Sequence, residues 1–269
     1  MFSIVIRNKN ESKALQRILP ILYNQYSDDF DEIILVDNYS TDNSVEIAKQ
    51  YHCRIEYIKE FTYGKAINLG ISCAKNQYIL LLSAHSVPIG KCFFKTALKT
   101  FKNDKNIAGL RFINSIKNYE IALNNNFITK NPLENGLMAA CAMVNKEIWQ
   151  RYTFDEKLMF SEDKEWSKRV IENNYKIIQL AETFFYFAER NNKNQLSRFI
   201  NENTAQIILN KTEPTSISKI IFVFIYNILF KNLKNYFLSI LYEFKLFKTK
   251  LIIRRNVLNY YINKPNDKQ

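Results

Sequence analysis

The chain has 269 residues, 47% hydrophobic and 14% aromatic, enough for a packed core and too apolar for a disordered polymer. Its five glycines and five prolines exclude a tight-turned solenoid or a β-sandwich, and the length suits one large α/β domain with or without an appendage. The formal charge of +12 is uneven: from Lys219 onward ten Lys or Arg face only Glu243 and Asp267, so the tail holds +8 and the first 218 residues +4.

Taken from the N-terminus, Phe2 to Ile6 predicts a strand, followed by a polar turn from Arg7 to Asn10. Glu11 to Tyr23 has helical spacing, with Leu15, Ile18, Leu19 and Leu22 on one face. Ile33 to Val36 is a second buried strand that ends at Asp37-Asn38. Ser40, Thr41, Asp42 and Ser44 then offer N-caps for the helix carrying Val45, Ile47 and Ala48. A third strand is expected over Arg54 to Ile58, a helix over Lys65 to Ala74, and a fourth strand over Tyr78 to Leu82. Continuous apolar strands alternating with helices predict a mostly parallel sheet covered on both faces. Ligands of such sheets lie beyond the carboxyl ends of the strands. Three of those ends are polar here: Asn8 to Glu11, Asp37-Asn38, and Ser83 to His85. Each alone reads as the start of a solvated loop; their coincidence on one edge points to a site.

The four cysteines, Cys53, Cys73, Cys92 and Cys141, form no CxxC pair and have no His at metal-ligand spacing. They read as reduced core thiols. The opening MFSIVIRNKNE turns polar too early for a secretory segment, so a cytoplasmic protein is expected.

SIVIRNKNE, DEIILVDNYSTDNS, FTYGKAINLGI and YILLLSAHSVP, in that order and spacing, resemble the family 2 glycosyltransferases of GT-A fold. GLMAACAMVNKEIWQRYTFDEKLMFSEDKEWSKRV is similar to the acceptor-side half of that family, so the likeness covers roughly residues 1–190. It implies a Rossmann-like α/β domain over 1–200; residues 201–269, outside the likeness, read as a basic amphipathic helical tail. It also implies an inverting transfer of a sugar from a nucleotide-diphosphate donor.

The resemblance gives the residues roles. Asp37 matches the acid that receives the nucleobase; a carboxylate only accepts hydrogen bonds, which suits the imide N–H of uracil or thymine. Glu11 would line the same pocket. Lys65 and Asn68 would face the donor diphosphate. Asp163 matches the general base that takes the acceptor hydroxyl's proton, Glu162 would orient a hydroxyl, and Trp166 could stack on an acceptor sugar or pack in the core. Taken by itself, Glu162-Asp163 also reads as an acidic helix start.

One departure stands out. Where the family has Asp-x-Asp to hold a divalent cation, this chain has Ser83-Ala84-His85. Two formal negative charges are lost, and imidazole suits Mn²⁺ better than Mg²⁺. Two readings stay open: His85 ligates a divalent metal (Mn²⁺ or Mg²⁺) together with diphosphate oxygens and Ser83 lines the site, or cations such as Lys65 and Arg190 neutralise the leaving group without metal.

In the tail, Ile217 to Phe230 is apolar but shorter than the roughly 20 residues of a bilayer span. Phe230, Leu233, Phe237, Leu241, Phe244, Phe247 and Leu251 recur every three or four positions, with Lys231, Lys234, Lys245, Lys248 and Lys250 among them. A basic amphipathic helix of this kind suits the anionic inner leaflet of the cell membrane; packing on the catalytic domain or on a second subunit is the alternative. The expected function is therefore transfer from a UDP- or dTDP-sugar to a lipid-linked oligosaccharide at the cytoplasmic membrane face, for surface polysaccharide such as capsule or O-antigen. A nucleotide-sugar-binding protein with little turnover is the second possibility. No nucleic-acid motif accompanies the positive charge, so no nucleic-acid partner is expected.

Overall fold

The computed structural model describes residues 1–187 and 192–262. The elements run β1 (Phe2–Asn8), α1 (Ser12–Tyr26), β2 (Phe30–Asp37), α2 (Ser44–Gln50), β3 (Arg54–Tyr57), α3 (Tyr63–Cys73) and β4 (Tyr78–Ser83). They continue with β5 (Ser86–Pro88), α4 (Phe93–Asn103), β6 (Ile107–Ile113), α5 (Ile116–Asn124), α6 (Pro132–Asn135), β7 (Cys141–Asn145), α7 (Lys146–Arg151), α8 (Glu162–Glu172), β8 (Lys176–Tyr186) and α9 (Asn192–Asn210). The C-terminal part holds α10 (Ile217–Tyr226), a π-helical segment (Asn227–Asn232) and α11 (Leu233–Ile262).

Eight strands form one sheet in the order β3-β2-β1-β4-β7-β6-β8-β5. β3, β2, β1 and β4 are mutually parallel, which puts their carboxyl ends on one edge. β7 enters antiparallel between β4 and β6, so the mostly parallel sheet is mixed in its second half.

Side chains alternate across a strand, and the continuous apolar runs follow from a sheet buried on both faces. Ile4 and Ile6 of β1 with Leu80 and Leu82 of β4 join α1 and α4 in one core. Val5, Ile79 and Leu81 join α3, α7 and α8 in the other. Gly70 lets α3 sit close on β1: a Cβ there would meet Val5 Cγ1 at 2.2 Å. Each fully buried Ile or Leu contributes about 1.5–3 kcal/mol, so both layers hold the strand ends firmly.

The chain divides into Met1–Thr212 and Glu213–Gln269. The division falls beyond position 200 because α9 continues to Asn210. In the C-terminal unit, Phe230, Leu233, Phe237, Phe244 and Phe247 are each more than 60% exposed, and Lys231, Lys234, Lys245, Lys248 and Lys250 are exposed beside them. Among the described residues no helix is long and apolar enough to cross a membrane.

Candidate active site

Strand register assembles the candidate site. Asp37 lies opposite Tyr57 and Asn8, and Arg7 opposite Ser83. The Ser83 N–H donates to the Ala140 carbonyl at 2.8 Å, which brings the segment before β7 to the same edge.

Asp37 is 0% exposed. Its Oδ1 accepts from Asn8 Nδ2 at 2.7 Å and Ser40 Oγ at 2.6 Å, and its Oδ2 from the Ser40 N–H at 2.8 Å. The Asp37 carboxylate, expected to receive a nucleobase, is turned inward here and fixes the loop from beneath. What the loop exposes is Tyr39, at φ 48°, whose ring lies 5.4 Å from that of Tyr57.

Glu11 and His85 do meet. His85 Nε2 is 3.1 Å from Glu11 Oε2, and both side chains keep part of their surface open, 22% and 37%. The Ser83 hydroxyl accepts from the His85 N–H at 3.3 Å. The Phe187 ring stands nearly perpendicular to the imidazole at a centroid distance of 5.7 Å, and the Phe187 N–H donates to the His85 carbonyl. Glu11 thus places a carboxylate beside the Ser83-Ala84-His85 stretch. One carboxylate oxygen and one imidazole nitrogen at this separation match adjacent ligands of an octahedral ion, which with bonds of about 2.1 Å lie on the order of 3 Å apart. Among the described residues, no three His, Cys, Asp or Glu side chains are grouped so as to hold a metal ion by themselves. The pair fits a divalent ion as part of its ligand set, the remainder coming from substrate oxygens and water.

The acidic pair sits beside it. Ser161, at φ 64°, turns the chain into α8, so that Glu162 and Asp163 occupy the first helical turn, where the helix dipole favours negative charge. Arg7 binds this turn by two routes. Its Nη1 lies 3.4 Å from Glu162 Oε1, and its Nη2 donates to the Ala139 carbonyl at 2.9 Å. The Ala139 N–H in turn donates to Asp163 Oδ2 at 2.8 Å, and the Lys164 N–H to Oδ1 at 2.8 Å. Arg7 also lies over the Tyr63 ring at 5.2 Å. Glu162 is 5% exposed; burial pushes its carboxyl up to about 7, the Asp163 charge adds to the rise, and Arg7 opposes it. Arg111, buried with Nη1 donating to the Gly136 carbonyl, feels the charge of Asp163, while burial pulls its own pKa down.

Two further site candidates are held within the fold. Asn68 is 8% exposed and makes four hydrogen bonds: Nδ2 donates to the Phe154 carbonyl and Glu156 Oε1, and Oδ1 accepts from Trp149 Nε1 and the Phe154 N–H. It ties α3 to the 149–156 segment and has no group left for a diphosphate. Gly64 permits the same close approach, since a Cβ there would meet the Asp155 carbonyl oxygen at 2.2 Å. Trp166 is 0% exposed, stacked on Phe154 at 5.0 Å, with Nε1 donating to the Tyr152 carbonyl. It is a core residue and presents no face to a sugar.

Lys65 lies in the first turn of α3, where the Thr62 hydroxyl accepts from its N–H. Its Nζ pairs with Glu60 Oε2 at 3.0 Å on the surface, a contact worth at most about 1 kcal/mol and easily exchanged for a ligand. Arg190 lies outside the described residues. Arg7, Tyr63 and the backbone of Ala139 were not anticipated. A charged residue closing the otherwise apolar run FSIVIRN was the signal for Arg7.

Residues 3–148 match the pattern of the family described as "Glycosyl transferase family 2". Over 218 residues the chain is 28% identical to an uncharacterized glycosyltransferase of Methanocaldococcus jannaschii, covering 74% of each. The mannosyltransferase PcManGT of Pyrobaculum calidifontis, solved with GDP-Man and Mn²⁺, superposes with a TM-score of 0.63 at 13% identity. That match covers 80% of this chain and 65% of the other, so the chain spans just under two thirds of this relative. Glucosyl-3-phosphoglycerate synthase of Mycobacterium tuberculosis, solved with Mn²⁺, UDP and glucosyl-3-phosphoglycerate, gives 0.60 at 10% identity over 80% of this chain and 81% of that one.

Proposed function

Since this chain belongs to glycosyl transferase family 2 and is a glycosyltransferase of GT-A fold, we propose that it moves a sugar, with inversion, from a UDP- or dTDP-sugar to a lipid-linked oligosaccharide. The observation that carries the reading is the placement of Glu11 with His85 and of Arg7 with Glu162-Asp163 on one strand edge.

The donor's base rests on the loop that Asp37 fixes, and its diphosphate faces Lys65 and His85. UDP is the nucleotide held by the synthase relative, and Mn²⁺ accompanies both structural relatives described above. A divalent ion held by Glu11 and His85 would neutralise charge on the leaving diphosphate. Asp163 is the general base. As the acceptor oxygen bonds to the anomeric carbon, its proton passes to Asp163 while the carbon–phosphate-oxygen bond breaks and its electron pair leaves with the nucleotide. Attack from the face opposite the nucleotide inverts the centre in one step. The Ala139 N–H, itself positioned by Arg7, holds the Asp163 carboxylate in orientation. Glu162 closes the pocket wall behind it.

The exposed Phe, Leu and Lys side chains of α10 and α11 support attachment to an anionic membrane surface, where a lipid-linked acceptor resides. The test is transfer of labelled sugar from a panel of UDP- and dTDP-sugars into the solvent-extractable lipid fraction of source membranes. Label entering lipid with the unmodified protein but not with Asp163→Asn supports the reading. Label released only as free sugar contradicts it.

A further inference from the structure

Arg7 leaves the carboxyl end of β1 with 13% of its side chain exposed, and three groups surround its guanidinium. Nη1 stands 3.4 Å from Glu162 Oε1, Nη2 donates to the Ala139 carbonyl at 2.9 Å, and Cζ lies 5.2 Å from the centroid of the Tyr63 ring. The contact with Glu162 is longer than an ordinary N–H···O bond. The single bond to Ala139 leaves the guanidinium free to swing about it. The Tyr63 ring closes that freedom from one side, at a separation where an aromatic face attracts a cation.

Tyr63 is itself firmly seated. It opens α3, and both its chain neighbours are pinned to the segment before α8. The Thr62 hydroxyl donates to the Glu156 carbonyl at 2.9 Å, and Gly64 packs on the Asp155 carbonyl oxygen so closely that a Cβ would not fit. The rings of Phe61 and Phe160 stand nearly perpendicular to that of Tyr63, at centroid distances of 5.2 and 5.8 Å. Among the described residues the Tyr63 hydroxyl makes no hydrogen bond. The ring is therefore what these neighbours hold, and its face is what Arg7 uses.

We infer that Tyr63 is a positioning residue of the transfer reaction. Its ring holds the Arg7 guanidinium against the Ala139 carbonyl, and the N–H of that same residue orients the Asp163 carboxylate. These contacts join the first turn of α3, which carries Lys65, to the acid pair that opens α8. The inference rests on the proposed role of Asp163. A base out of line costs rate and leaves donor affinity alone, because the acceptor proton moves only in the transition state.

The test measures kcat and donor KM for label transfer into membrane lipid, with UDP affinity by calorimetry, in four full-chain variants: Tyr63→Phe, Tyr63→Leu, Arg7→Met and the last two combined. Tyr63→Phe keeps the aromatic face and should hold kcat within about twofold. Tyr63→Leu should lower kcat roughly tenfold, with donor KM and the UDP dissociation constant within about twofold. In the Arg7→Met background, where the guanidinium is already gone, Tyr63→Leu should cost less than about twofold more, the non-additivity that a shared contact requires. Tyr63→Met, unbranched and of similar reach, repeats the comparison if Tyr63→Leu does not fold. Losses that multiply in the combined variant, an equal loss in Tyr63→Phe, an unaltered kcat in Tyr63→Leu, or a raised donor KM at constant kcat would each overturn the inference and leave the transfer reading standing. No transfer by the unmodified protein would remove the transfer reading, and the inference with it.

Discussion

His85 Nε2 stands 3.1 Å from Glu11 Oε2, joining the loop after β4 to the start of α1 at the carboxyl edge of the sheet. This contact changes the meaning of the Ser83-Ala84-His85 stretch. Read along the chain, the stretch has lost its acids; in space, an acid from a different strand end stands beside the histidine. The pair carries one formal negative charge where the family's Asp-x-Asp carries two, which favours a softer ion than Mg²⁺.

Asp163→Asn should abolish transfer while leaving the dissociation constant for UDP within about twofold. Amide and carboxylate have nearly the same shape, so the Ala139 N–H keeps an oxygen to donate to, but the proton acceptor is gone. Loss of nucleotide binding in this variant would show that Asp163 serves the donor pocket instead.

Glu162 should give the fold a pH dependence near neutrality. Its carboxyl is pushed from 4.5 up to about 7 by burial and by Asp163, so between those values the folded state holds a proton that the unfolded state releases. Stability from this group is therefore full below about pH 4.5 and is lost as pH rises through about 7, a span on the order of 3 kcal/mol. Chemical denaturation at several pH values should show that slope in the unmodified protein and a flatter one in Glu162→Gln. Identical slopes would mean that Arg7 compensates the buried charge fully.

Asn68→Ala should behave as a loss of framework. The Trp149 indole N–H and the Phe154 N–H would be left buried without a partner, costing about 1–3 kcal/mol and roughly 2–4 °C in Tm for each kcal/mol. UDP affinity of the folded variant should hold. An unchanged Tm with weakened UDP binding would return Asn68 to the donor site.

Most of the first half of the fold was legible in the sequence, because buried parallel strands write themselves as unbroken apolar runs and their helices carry clear caps. The antiparallel insertion of β7 was not, since CAMVN reads the same in either direction and its partners are distant in sequence. The site residues divided along a physical line. Glu11 and His85 were recognisable as polar groups at strand ends, and their pairing required the register of β1 against β4. Asp37, Asn68 and Trp166 were recognised by position but not by orientation: a sequence shows that a polar or aromatic group is at a strand or helix end, not whether it faces ligand or core. Arg7 was hidden for the opposite reason, as a charge at the end of a buried strand whose partners, Glu162 and Ala139, lie on remote segments.

The tail prediction follows from exposed Phe and Leu set among lysines. Replacing Lys231, Lys234, Lys245 and Lys248 with Glu should prevent flotation with vesicles containing phosphatidylglycerol, since each basic residue near such a surface contributes about 1 kcal/mol. Flotation unaffected by the four changes would show that charge plays no part in membrane attachment.

The most direct test of the account is calorimetric titration of the full chain with UDP, and then with dTDP, in Mn²⁺ and again in EDTA. The account predicts binding of a pyrimidine nucleoside diphosphate in Mn²⁺ that is lost in EDTA and weakened by Glu11→Gln or His85→Ala. Binding of equal strength in EDTA would contradict it, and would leave the leaving diphosphate to be neutralised by protein cations such as Lys65.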